Sequence, residues 1–131
     1  FVGNRKLHTL TTKQRYELRF DMFSRDNGNV IATYATFSIG SEDDKFRLDI
    51  GGYVGNFDNS MSYHDGRKFS TPDNDNDGSF SLNCAEDNSS GWWFANCILT
   101  DLNSPYDDII WKLSNDYKIE LQFTEMKMRP G

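Results

Sequence analysis

The sequence predicts one domain of strands and loops carrying two short helices. Three observations lead there. Apolar residues alternate with polar ones in several separate stretches, which is the period of a half-buried strand. Asp outnumbers Glu 15 to 5, beside 12 Asn and 10 Gly, and these residues favour turns over helix interiors. Residues 55–114 show no periodicity, and a patternless stretch of that length in a compact domain usually carries function or a metal. A length of 131 residues suits a single domain with a real core.

Taken in order, residues 4–10 form the first short helix. Tyr16, Leu18, Phe20 and Met22 then alternate with Glu17, Arg19, Asp21 and Phe23, a strand with one buried face. Asn27-Gly28 inside residues 25–29 is a strong hairpin signal. Residues 30–39 are β-branched and aromatic and make the return strand. Phe46, Leu48 and Ile50 alternate with Lys45, Arg47 and Asp49, giving a third strand that Gly51-Gly52 ends. Residues 60–64 form the second short helix. Tyr117, Ile119, Leu121 and Phe123 alternate with Lys118, Glu120, Gln122 and Thr124 in one last strand. No internal repeat, heptad or low-complexity tract is present.

Composition excludes several classes. The 10 Phe, 6 Tyr and 3 Trp argue against disorder. A net charge of −6 argues against a general phosphate-backbone binder, hence against nucleic acid. No apolar run approaches the roughly 20 residues of a membrane span, so no membrane insertion is expected. No basic stretch followed by an apolar one opens the chain. The charge is uneven: residues 69–111 hold eight acids and no Lys or Arg, while the rest of the chain sums to +2. Like charges held together repel, and a bound cation is the usual remedy.

Asp73-Asn74-Asp75-Asn76-Asp77-Gly78 sets side-chain oxygens at alternate positions, as calcium, with its six to eight oxygen ligands, requires. The run opens like an EF-hand loop but fails at position 12, where Cys84 replaces the bidentate Glu. Calcium is kept and the EF-hand rejected. Cys84 and Cys97, the two cysteines, can close a disulfide or sit reduced; beside a calcium loop the extracellular disulfide is the better reading. Trp92, Trp93 and Phe94 read as core. Asn88-Ser89-Ser90 is an N-glycosylation acceptor at Asn88, meaningful in a secreted chain. No GxSxG, HExxH or phosphate loop appears. His8 and His64 stand alone, and no carboxylate is set apart as an acid. The expectation is a protein that is not an enzyme.

These residues together resemble the C-terminal half of a fibrinogen-related domain. The resemblance rests on Asp73 to Asp77, Asn83-Cys84-Ala85-Glu86, Gly91-Trp92-Trp93-Phe94, Asn96-Cys97 and Leu102-Asn103. It rests equally on Tyr16-Glu17-Leu18-Arg19, Gly51-Gly52-Tyr53-Val54-Gly55-Asn56, Ser62-Tyr63-His64-Asp65-Gly66, Lys68-Phe69-Ser70-Thr71 and the closing Thr124 to Pro130. The match runs the whole length in order.

The resemblance implies an α+β fold: a twisted, mostly antiparallel sheet with short helices and a loop-built calcium and ligand subdomain. The sheet part would be about 1–55 and 115–131, the loop part about 56–114. It implies a secreted, extracellular recognition module, either a calcium-dependent lectin of innate-immune type binding glycans or a module that binds a protein or peptide. By the family motif Asp75 and Asp77 would be the carboxylate calcium ligands, with carbonyls of Ser79 and Ser81 completing the shell. Cys84 and Cys97 would be the second disulfide, and Asn96-Cys97 the position of a cis peptide. The pocket would be Asp87, Asn88, Asn96 and Tyr106. The chain departs from the pattern at Ile98, where the family often has His. It departs again at Asn88 in place of a pocket aromatic, at Ser104, and in a shortened loop before Trp111. A second pocket Trp after Trp111 is missing. Weak binding of N-acetylated sugars follows. By the resemblance the N-terminal subdomain is absent, so the strands near 16–22 and 117–123 are expected to leave an uncovered edge or face that recruits a second copy, as a homodimer or higher oligomer, or another domain.

Overall fold

The computed structural model describes residues 3–77, 83–88, 90–95, 97–103, 109–113 and 117–131, without the side chains of Asp87 and Asn88. In chain order the elements are α1 (Asn4–Lys13), β1 (Tyr16–Ser24), β2 (Gly28–Ile39), a 3-10 turn (Glu42–Asp44), β3 (Leu48–Gly55) and a second 3-10 turn (Ser60–His64). Then come α2 (Cys84–Asn88), β4 (Ile110–Lys112), β5 (Lys118–Glu120) and β6 (Phe123–Pro130). The four-stranded sheet has the order β3-β2-β1-β6, and β4 pairs with β5. Every pairing of named strands is antiparallel, so the expected α+β class holds.

The alternation of β1 does what the sequence predicts. Leu18, Phe20 and Met22 are buried, opposite Tyr34, Ala32 and Val30 of β2. The hairpin closes through Arg25, Asp26 and Asn27, and Gly28 takes φ 74°, a left-handed conformation that glycine adopts without penalty. The inner face of this hairpin rests on β4: the Phe20 and Trp111 rings meet edge-on at 6.0 Å. Helix α1 docks on β2 through Leu7 and Thr11. The Thr11 hydroxyl donates to Leu7 C=O and accepts the Ile39 N–H, joining helix to strand.

Four expectations are corrected. The first helix extends past residue 10 to Lys13. The third strand starts at Leu48, because Lys45 and Phe46 take φ 54° and 52° and form a turn instead. It also runs through Gly51-Gly52 to Gly55. Gly52 has φ 68°, and a Cβ there would lie 2.6 Å from the Ala35 Cβ; glycine lets the two strands close up rather than ending the ladder. The last strand is two. Leu121 N–H donates to Ile109 C=O and Gln122 N–H to Phe23 C=O, so the chain crosses from the small sheet to the large one between them. Strand β1 is an inner strand flanked by β2 and β6. Among the described residues no helix is long and apolar enough to cross a membrane.

Candidate calcium and ligand loops

The acidic loop is tied down before it turns outward. Ser70 and Trp92 exchange two backbone hydrogen bonds of 2.9 and 3.1 Å, and Thr71 and Asn74 exchange another two of 3.2 and 3.0 Å around Pro72 and Asp73. The two asparagines have structural work. The Asn76 amide reaches Phe69 C=O at 3.2 Å and its N–H meets the Ser70 hydroxyl at 2.7 Å. The Asp73 carboxylate accepts the Thr71 hydroxyl at 2.6 Å, which holds its carboxyl below the usual range.

Asp75 and Asp77 come together. Asp75 Oδ1 accepts the Asp77 N–H at 3.2 Å, and Asp77 Oδ2 accepts the Cys84 N–H at 2.8 Å. Asp77 therefore links the acidic loop to the first turn of α2. Asn83 strengthens the joint: its Oδ1 accepts the Glu86 N–H and its amide donates to Pro72 C=O. As a donor set, the carboxylates of Asp75 and Asp77 offer hard oxygens of the kind calcium takes. They supply part of a shell, and among the described residues no cluster of three metal-ligating side chains forms. Ser79 and Ser81 lie outside the described residues, as do Asn96, the Asn96-Cys97 peptide geometry and Tyr106. Asp87 and Asn88 are placed by backbone in α2, and their side chains lie outside the description.

Cys84 and Cys97 are bonded, with Cα atoms 5.4 Å apart. Trp92, Trp93 and Phe94 are buried, as the sequence predicts. The Trp93 indole donates to Phe46 C=O at 2.9 Å, stacks edge-on against Phe69 at 5.3 Å and meets Trp92 at 5.0 Å.

Two organising residues escape sequence reasoning. His64, which stands alone in the chain, is wholly buried. Its Nδ1–H donates to Trp93 C=O at 2.9 Å, and Nε2 accepts the Leu99 and Thr100 N–H groups at 3.2 and 3.3 Å. Burial, aided by Arg67 and opposed by the Trp93 bond, pushes its pKa down to about 4, so the ring is neutral. Asp101, one of the eight acids of residues 69–111, is also buried. It accepts the Ser90 hydroxyl and the Asn103 N–H, while the Asn103 amide donates to Gly91 C=O. Both residues bind backbone or side-chain groups of other loops, and no spacing in the sequence signals that. Together they lock residues 90–95, inside the disulfide loop, to residues 97–103.

Residues 1–131 match the family model described as fibrinogen beta and gamma chains, C-terminal globular domain. Ryncolin-4 of Cerberus rynchops is 35% identical over 140 residues, covering 99% of this chain and 40% of its own length. Human Tenascin-R is 39% identical over 137 residues, covering 99% of this chain and 10% of its own. The chain thus spans less than half of either relative. Among solved structures, the fibrinogen-like globe domain of human ANGPTL6 superposes with a TM-score of 0.88 at 30% identity, over 99% of this chain and 63% of that one. Lamprey fibrin D-dimer complexed with the peptide Gly-His-Arg-Pro-amide superposes with a TM-score of 0.82 at 33% identity, over 99% and 50%.

Proposed function

This chain belongs to the family of fibrinogen C-terminal globular domains, and from that premise we propose that it is an extracellular, calcium-dependent recognition module of lectin type. The observation that carries the proposal is the junction at Asp77. Asp77 meets the Asp75 carboxylate through its backbone N–H, while its own carboxylate caps the turn that begins with disulfide-bonded Cys84. Asp75 and Asp77 would hold the metal. Calcium, when bound, supplies a divalent charge that offsets repulsion within the eight-acid segment. The chain's own residues do the rest: Asp77 fixes the start of α2, which carries Asp87 and Asn88, and the disulfide ties α2 to Cys97 beside Asn96. A disulfide suits an oxidising, extracellular setting. The proposal assigns no catalytic step.

A second reading is supported by a specific observation. A relative in the family is complexed with a peptide carrying Arg and His, and residues 69–111 of this chain hold eight acids with no Lys or Arg. That polarity suits a cationic peptide as ligand.

Two measurements test these readings. Calcium at a hundredfold excess over its dissociation constant raises stability by about 2.7 kcal/mol if only the folded state binds it, so the melting temperature should rise, and Asp75→Ala should remove the rise. No shift in the wild type would sink the calcium assignment. A glycan array and a panel of cationic peptides, each with and without EDTA, then decide between the ligands; EDTA-sensitive capture on glycans supports the lectin reading, and capture on peptides alone supports the second.

A further inference from the structure

The acceptor triplet Asn88-Ser89-Ser90 needs a hydroxyl at its third residue, which is why only Ser or Thr serves there. The fold has already committed that hydroxyl. Ser90 is 8% exposed, and its Oγ–H donates to the carboxylate of Asp101, which is wholly buried. The Ser90 N–H donates back onto α2, to Ala85 C=O at 3.0 Å. The residues that follow are held as firmly. Gly91 C=O accepts the Asn103 amide at 2.9 Å, and a Cβ on Gly91 would lie 3.0 Å from the Phe69 ring. Trp92 exchanges two backbone hydrogen bonds with Ser70. Asn88 closes α2, whose first residue, Cys84, is bonded to Cys97. The triplet therefore lies inside the disulfide loop.

We propose that Asn88 accepts a glycan only while this loop is unfolded, and that the docking of Ser90 on Asp101 closes the site. The donor is an oligosaccharide carried on a lipid pyrophosphate. Transfer forms a bond from Asn88 Nδ2 to the first sugar carbon and releases one amide proton. It breaks the bond between that carbon and the pyrophosphate, which leaves with the electron pair. The transferase must reach the Asn88 amide and the Ser90 hydroxyl together. In the folded chain it could take the hydroxyl only by stripping a donor from a buried acceptor, which is costly. It would also have to open the Ser90–Ala85 bond and the packed turn at Gly91. Before Asp101 docks, the hydroxyl faces water. Transfer leaves that hydroxyl chemically intact, so the modified chain can still form the Ser90–Asp101 bond. Occupancy is thus set by a race between transfer and folding. This rests on the extracellular reading above, because only a secreted chain meets the transferase.

The test mixes purified oligosaccharyltransferase and a lipid-linked oligosaccharide with oxidised protein made in bacteria without glycan, and reads the Asn88 peptide by mass spectrometry. The folded wild type should stay unmodified. Asp101→Ala, which frees the Ser90 hydroxyl and leaves the triplet intact, should accept the glycan, and Ser90→Ala should not. In cells secreting the protein, a membrane-permeant reductant present during synthesis should yield cell-associated chains glycosylated at Asn88. Urea melts check the folding of each variant; if Asp101→Ala unfolds, the folded wild type against the reductant-treated chain decides. Modification of the folded wild type overturns the proposal. So does a folded Asp101→Ala variant that stays bare, a bare Asn88 in the reductant-treated chains, or a glycan on Asn88 that survives Ser90→Ala. The purified assay does not pass through secretion, so acceptance by the folded wild type overturns this proposal while the extracellular reading stands; a native chain retained in the cytosol overturns both.

Discussion

His64 shows how one side chain can set the pH range of a domain. Its folded pKa of about 4 lies below the ordinary value near 6.5 that it would have in the unfolded chain. Between these values the unfolded state takes up a proton that the folded state refuses. Stability is therefore full above about pH 6.5, falls as pH drops towards 4, and levels off below, with a total loss of about 3 kcal/mol from this group. Asp21, whose carboxyl is held low chiefly by Lys127 with help from Arg19, and Asp73, held low chiefly by Thr71, act in the opposite sense. Their contributions are present above the ordinary carboxylate range and are lost only at lower pH. Urea titrations between pH 7 and 4 should thus show the decline, and His64→Gln should flatten it while lowering stability at pH 7 by about 2 kcal/mol. An unchanged slope in the variant would show that another group carries it.

At the scale of the elements, the close approach of β2 and β3 depends on a missing Cβ. Gly52 combines φ 68° with a Cβ position only 2.6 Å from the Ala35 Cβ. Gly52→Ala should cost about 2 kcal/mol through backbone strain and the forced separation of the strands. The measurement is the denaturation midpoint, with faster amide exchange at Val54, whose register partner is Thr33. By contrast Gly28→Asn, at φ 74° with nothing within 4 Å of the added Cβ, should cost well under half as much, because asparagine tolerates the left-handed region. A similar cost at both positions would show that dihedral strain alone, and not the strand contact, sets the penalty.

At the scale of the whole molecule, the two sheets share a core in which Phe20, Trp111, Trp92 and Trp93 are fully buried, so these four aromatic residues, all three tryptophans among them, are committed to stability rather than to an exposed stacking platform. Ile98, half-buried against that core, offers no donor to an acetyl oxygen. Simple N-acetylated sugars should therefore bind weakly, with calorimetry against N-acetylglucosamine giving no submillimolar site; a tight site lost on Ile98→Ala would contradict this. The sequence by itself determined the strand-and-loop class, the β1–β2 hairpin, the aromatic core triplet, the metal-type spacing of Asp75 and Asp77, and, through its family motifs, the Cys84–Cys97 pair. These are local patterns: side-chain alternation, turn chemistry and repeated oxygen donors are written in consecutive residues. Tertiary structure alone decided that β1 is an inner strand, that the last strand breaks at Leu121-Gln122, that Gly52 continues a ladder, and that His64 and Asp101 hold together residues 90–95 and 97–103. Each of those depends on a group brought near by folding, most often a backbone N–H or C=O, and every residue carries those whatever its side chain.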